Sequence, residues 1–215
     1  GLGRLVSLAD YESETLAIPG VISTRADWGL RDGVAGLELS VLLAAGREAE
    51  FETVRATLQQ WQRCRGPDRF PVSVRQAYLR YLWLDVEYAA DPALARADVE
   101  AALHAALGLA GDTDHETSAL FGLAHRRLGE AEHARRIEGV LQNVAGVIWC
   151  RVAALGLFAV NDPDLPTDDD PTALTLPAAP RPLAASITPA GHELLQLAPA
   201  HLTLVAVAAP PGDCP

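Results

Sequence analysis

Four of the six histidines lie in the middle of the chain, and three of them, His104, His125 and His133, stand where imidazole pairs would be the first sign of a zinc site. A helical zinc site needs two ligands four residues apart so that both project from one face. Neither His104 nor His125 has a second ligand four residues further on, and His125 to His133 is an eight-residue step across a glycine, so they read as surface or packing histidines. Asp112, Asp114 and His115 share one loop and carry the donor types of a cation site. A calcium loop would also need a glycine at its sixth place and a distal glutamate in register, so this loop reads as a helix cap. The run Asp168, Asp169, Asp170 could attract a divalent ion or a basic partner, but consecutive like charges in a proline-rich stretch read as solvated. Cys64, Cys150 and Cys214 are far apart, odd in number and form no C-x-x-C pair, which points to neither a disulfide framework nor a zinc site and fits folding in a reducing compartment. Cys150 sits beside Trp149 in a predicted strand, with only Arg151 near enough to lower its pKa, and reads as a small buried hydrophobe rather than a nucleophile. The sequence holds no nucleophile elbow, no phosphate loop and no dinucleotide fingerprint. These residues predict no catalytic site, no cofactor and no bound metal.

Composition narrows the field in the same direction. The 215 residues include 28 acidic and 17 basic side chains, a formal charge of −11, so duplex phosphates would repel the chain and a sequence-independent nucleic-acid binder is excluded. The longest apolar run, Val152 to Val160, is far short of the ~18 residues of a bilayer-spanning helix. The opening residues lack the basic region and apolar core of a signal peptide. The four tryptophans, Trp28, Trp61, Trp83 and Trp149, each fall in a different predicted element, a distribution that suggests one shared core.

The elements that would position any site follow from periodicity and punctuation. Ser7 with Asp10 has the form of a capping box opening a short helix to about Leu16, which Pro19-Gly20 stops. Val21–Trp28 and Leu37–Leu43 read as a hairpin around an Arg31-Asp32-Gly33 turn. From Arg47 to Arg63, Phe51, Val54, Leu58 and Trp61 share one helical face, and Gly66-Pro67-Asp68 breaks the helix. Val72–Tyr88 is extended, as two strands or one bent strand, with Leu82, Leu84 and Val86 alternating against Trp83, Asp85 and Glu87. Val99, Leu103 and Leu107 mark a second helix, and Glu132–Val144 a third with Ile137, Val140, Leu141 and Val144 on one face. Gly146 then turns the chain into a strand from Val147 to Val152. Seven of the 29 residues from Asn161 to Pro189 are prolines, which predicts a tether or extended arm lying across a neighbouring subunit or domain. His192–Leu197 is predicted as a helical turn and His201–Val207 as a final strand, together a tail that docks elsewhere. The order predicts an α+β fold, a ferredoxin-like or split β-α-β sandwich with an inserted helix and a Pro-rich extended C-terminal arm. Its predicted parts are a helix and hairpin over 1–45, an α+β core over 46–160, the arm over 161–190 and a docking tail over 191–215.

The residues also resemble a known family. Gly3-Arg4-Leu5-Val6-Ser7-Leu8-Ala9-Asp10-Tyr11-Glu12, followed by Ile18-Pro19-Gly20-Val21, is similar to a passage of the J-like baseplate assembly proteins of contractile phage tails and related injection particles. Ala97–Leu103 with Ala106-Leu107, then Phe121-Gly122, then Ile137 through Val147, follows the family's later motifs in order and spacing. The sequence departs from the pattern at Ala145, where the family usually has proline, and after Gly122, where Leu-Ala-His-Arg-Arg replaces a short apolar link. Relatives carry a further portion before the first motif and this chain has no methionine, so the resemblance implies the C-terminal part of a longer protein. It implies a structural baseplate wedge component, not an enzyme, that partners other wedge subunits, the spike or hub and the sheath in a sixfold assembly. It also implies assembly in the cytoplasm into a phage tail or tail-like particle, with no cofactor, no nucleic acid and no membrane span. Two other readings stand beside it: a ferredoxin-like ligand-binding or regulatory module, and a hydrolase without a recognisable motif.

Overall fold

The computed structural model describes residues 5, 7–31, 33–66, 70–108, 119–123, 125–158 and 174–208. The chain is mixed α/β and divides into two compact units.

The first unit comprises Gly1–Tyr78, Arg127–Gly129 and Ala190–Leu194. Helix α1 (Leu8–Leu16) opens on the expected capping box: the Asp10 N–H donates to Ser7 Oγ at 3.2 Å and the Ser7 N–H donates to the Asp10 carboxylate at 2.8 Å. These bonds satisfy two donors that the helix start would otherwise leave orphaned. Strands β1 (Val21–Arg31) and β2 (Val34–Leu43) pair antiparallel, and Gly33 between them takes φ +78°. A 3₁₀ turn (Glu48–Glu50) leads into α2 (Phe51–Arg65). β3 (Val72–Gln76) then pairs parallel with β2, giving the sheet order β1-β2-β3. Leu37, Leu39, Val41 and Leu43, alternate residues of β2, are buried with Tyr11, Val54 and Leu58, so the two periods of strand and helix meet in one core.

The second unit holds Leu79–Arg126, Glu130–Pro189 and Leu195–Pro215. Its elements are β4 (Tyr78–Ala90), α3 (Arg96–Leu107), β5 (Glu132–His133), α4 (Ala134–Gln142), β6 (Val147–Leu157), β7 (Ser186–Ile187) and β8 (Glu193–Ala206). β4 is the middle strand of the order β6-β4-β8, and β5 pairs with β7. Leu82, Leu84, Val86 and Tyr88 on one face of β4 are buried against Val99, Leu103 and Leu107 of α3 and Ile137 and Leu141 of α4. Leu195 and Leu197 of β8 join the same core. On the other face Tyr81, Trp83, Ala154, Phe158 and Ala198 form a smaller cluster, with Leu174 and Leu176 packed against it.

Several expectations change here. Split β-α-β strands are parallel with a third strand between them, whereas β4 and β6 are antiparallel neighbours, Ala90 facing Val147. Two helices intervene, and the chain returns to the edge it left, closed by the Asp91 N–H donating to Gly146 O at 2.8 Å. A β-α-β unit does occur, but in the first unit and unsplit, as β2-α2-β3. The predicted division at residue 46 gives way to one at Tyr78/Leu79, because α2 and β3 complete the hairpin's core. The helical turn expected over His192–Leu197 is instead the start of β8, whose backbone partner on β4 satisfies it better than one isolated helical turn would. Of the predicted docking tail, Glu193–Ala206 is therefore a strand of the sheet β6-β4-β8, and residues 209–215 lie outside the described residues. Of the predicted arm, residues 161–173 lie outside the described residues, while Leu174, Leu176, Ala184 and Ile187 pack on the second unit itself. Nor do the tryptophans share a core: Trp61 packs in the first unit, Trp83 in the second, Trp149 is half-buried and Trp28 exposed.

The free edge of β6 is protected. Glu138 accepts from the Val152 N–H at 3.0 Å, and Gln142 accepts from the Cys150 N–H at 3.2 Å and donates to Ile148 O at 3.0 Å. Side chains of α4 thus occupy backbone groups that would otherwise template another strand. A buried ion pair lies nearby in sequence: Arg126 donates to Glu132 at 2.6 Å, with side chains 1% and 0% exposed. The Arg126 guanidinium also lies 5.1 Å from the centre of the Phe121 ring.

Candidate interaction surface

Among the described residues, those weighed for chemistry are not brought together. His104 and His125 are exposed, and His133 is exposed at the start of α4. Asp112, Asp114, His115, Asp168, Asp169, Asp170 and Cys214 lie outside the described residues. Among the described residues no group of three or more His, Cys, Asp or Glu side chains is placed to hold a metal ion. Cys150 is buried with its Sγ 3.4 Å from Glu138 O, and burial, with a smaller contribution from the Glu138 charge, pushes its thiol up to about 11. Such a thiol is not a nucleophile at neutral pH.

The surface feature that stands out is the end of the β1–β2 hairpin. Burial along β2 begins at Gly36, so the final rungs of the ladder extend past the core. Trp28 is 57% exposed, Leu30 77% and Val34 55%. Leu30 pairs with Ala35 and Val34 with Arg31, so strand alternation places Leu30 and Val34 on opposite faces. Phe70 braces Trp28 edge-on, with centroids 4.6 Å apart and planes at 77°. A rigid strand pair thus carries an aromatic and two aliphatic side chains into solvent, the residue types that anchor protein interfaces when a partner covers them. A groove of about 210 Å³ lies at the same end of the sheet, lined by Gly29, Gly36, Glu38, Arg55, Gln59 and Pro71 among others. It is smaller than the roughly 300–1,000 Å³ of small-molecule sites. Sequence reasoning stopped β1 at Trp28 and missed this surface. The available signal was the apolar Leu30 and Val34 immediately flanking the turn.

On the opposite sheet face of the first unit, Arg25 donates to Leu128 O at 2.7 Å, and the Gly129 N–H donates to Glu193 O at 2.8 Å. Arg75 Nη1 lies 3.2 Å from His192 Nδ1. Burial, and then the neighbouring Arg75 charge, holds the His192 pKa below its ordinary value.

Comparison with known proteins adds to this geometry. Residues 3–75 match the Baseplate J-like central domain family, nearly the whole of the first unit's leading segment. None of the curated proteins matches the chain. A chain of the anti-feeding prophage (AFP) baseplate, from a 6-fold symmetrised cryo-EM structure, is similar in fold, with a TM-score of 0.51 at 11% identity. The likeness covers 92% of this chain, which spans only 38% of that one. The fold is thus one also found in a baseplate protein, and the stretch from 3 to 75 is similar to the Baseplate J-like central domain. The matched stretch is that family's central domain, where the opening motif had suggested the start of a C-terminal portion.

Proposed function

We propose that this chain is a structural component of the baseplate of a contractile, phage tail-like injection particle, and within it a wedge component joining hub and spike to sheath and tube. The observation that carries the reading is the match of residues 3–75 to the Baseplate J-like central domain. The fold likeness to an AFP baseplate chain over most of the present chain supports it. The chain acts through interfaces, without catalytic, cofactor-binding or metal-ligating residues. Its partners are other wedge subunits, the hub or spike and the sheath, in a sixfold arrangement of the kind that the symmetry of the AFP baseplate map suggests. It assembles in the cytoplasm and becomes part of the particle. The exposed Trp28, Leu30 and Val34 at the hairpin end suit burial against such a neighbour.

Negative-stain microscopy of particles carrying a tag on this chain tests the reading. Tag density at one end of the tail, beside the spike, is expected. Particles that assemble with intact baseplates when the chain is deleted, or that lack the tag, would overturn it.

A further inference from the structure

Residues 174–186 cross the second unit without a fully buried residue. Leu174, Leu176, Arg181 and Ala184 are half-buried, the rest are exposed, and the first buried residue is Ile187. The fastenings along this stretch gather toward its C-terminal end, where Ala185 O accepts from the Ala134 N–H at 3.1 Å and Ser186 pairs with His133 of β5. Leu155 donates its N–H to Pro182 O at 3.1 Å and accepts from the Ala184 N–H at 3.0 Å, and Leu183 forms an isolated parallel bridge to Leu155. Arg181 Nη1 lies 3.3 Å from Asp85 Oδ1, yet neither atom makes a well-formed hydrogen bond, and Arg181 Nε is buried without an acceptor. Leu174 and Leu176 rest on the cluster of Tyr81, Trp83 and Phe158. On that face Trp83 Nε1 is buried with no acceptor, and Gln196 Oε1, which strand alternation places there too, is buried with no donor.

We infer that residues 174–186 are a releasable strap, which opens locally while the rest of the second unit stays folded and so uncovers Tyr81, Trp83, Phe158 and the β6 edge at Leu155. Two physical terms favour local release. Few buried apolar contacts hold the strap, and segments of that kind open far below the global unfolding free energy. Opening also hydrates the Trp83 and Arg181 N–H groups and the Gln196 carbonyl, which the closed form leaves desolvated and unpaired. Pro177, Pro180 and Pro182 limit the open conformations and so favour return to the same closed form. The inference is independent of the baseplate reading.

Residue-resolved amide hydrogen exchange on the 215-residue chain tests it. The Leu155 and Ala184 amides are expected to exchange roughly 100-fold faster than those of Leu84 and Leu103, without the steep denaturant dependence of global unfolding. Arg181→Gln removes the cation facing Asp85 in a pair whose side chains are only 12% and 19% exposed, and is expected to speed Leu155 and Ala184 by a further ~5-fold or more, while Leu84 and Leu103 stay unchanged. Exchange of all four amides at one rate with one denaturant dependence would overturn the inference. So would an Arg181→Gln chain in which the strap amides do not move, or in which all four accelerate equally.

Discussion

Glu132→Gln is the sharpest test of how the second unit is held. Glu132 is fully buried and accepts from Arg126 at 2.6 Å, from Arg136 at 3.4 Å and from the His133 N–H at 2.9 Å. Glutamine keeps the shape and removes the charge. Arg136, 48% exposed, can turn to water, but Arg126, 1% exposed, cannot. A buried cation stripped of its partner costs about 3–5 kcal/mol. Arg126 retains Glu130 O at 3.1 Å, Leu120 O at 3.4 Å and the Phe121 ring, which places the cost near the lower end, about 3 kcal/mol. At roughly 2–4 °C per kcal/mol for a chain of this size, the melting point should fall by about 6–12 °C. Urea unfolding followed by Trp83 and Trp149 fluorescence, in a Trp28→Phe, Trp61→Phe background, reports on the second unit alone. The paired replacement Arg126→Met with Glu132→Leu removes both charges and should lie within about 1–2 kcal/mol of the parent. A Glu132→Gln chain within 1 kcal/mol of the parent, or a paired variant less stable than the single one, would refute this account of the pair.

Four further outcomes are expected. Gly146→Ala should cost about 2–3 kcal/mol in a thermal melt, because φ is +89° and the new Cβ would stand 2.6 Å from Leu94 Cδ1 and 2.9 Å from Val99 Cγ2; an unchanged midpoint would contradict the turn geometry. With iodoacetamide at pH 8, peptide mass spectrometry should find Cys64 labelled and Cys150 untouched until the chain unfolds, since a pKa of about 11 leaves on the order of one thiol in a thousand ionised; equal labelling would sink the burial argument. The folded pKa of His192 is depressed, so the unfolded chain takes up this proton first as pH falls. Its stabilisation of the first unit is present above the unfolded value of about 6.5 and is lost as pH falls from there through the lower folded pKa, and this pH dependence should vanish in His192→Asn; identical pH slopes of the urea midpoint, read from Trp28 and Trp61, would count against it. A chain ending at residue 160 should lose cooperative unfolding of the second unit, because β8 supplies Leu195 and Leu197 to its core; a sharp, near-parental transition would show that β8 is dispensable.

Local features were legible before any coordinates. The Ser7 and Asp10 capping box, the β1–β2 hairpin, the apolar faces of α2, α3 and α4 and the glycine turn at 146 all appear where spacing placed them. Each depends on residues within a turn or two of one another, where the periods 2 and 3.6 and the steric freedom of glycine act directly. The motif around Val6 to Glu12 also carried a resemblance to baseplate J-like proteins, and residues 3–75 match that family's central domain.

Long-range choices were not legible, because they turn on which surfaces meet. Val72–Tyr88 reads as one extended stretch, yet it serves two cores, and no composition shift marks Tyr78/Leu79. The Leu194, Leu195 and Leu197 spacing suits a helical turn, and only the backbone of β4 alongside makes it a strand. No periodicity marks Arg126 as buried, and its burial is tolerable only because the chain folds Phe121 and Glu132, within six residues of it, back beside it. Trp28 reads as core, and it is exposed because the hairpin outruns its hydrophobic cover. The sequence by itself determined most of the elements, their buried faces and the resemblance to the baseplate J-like central domain. Pairing, partition into two units and the fate of each charged or aromatic side chain were decided by tertiary structure, since burial and hydrogen bonding are properties of the neighbours a residue acquires rather than of the residue.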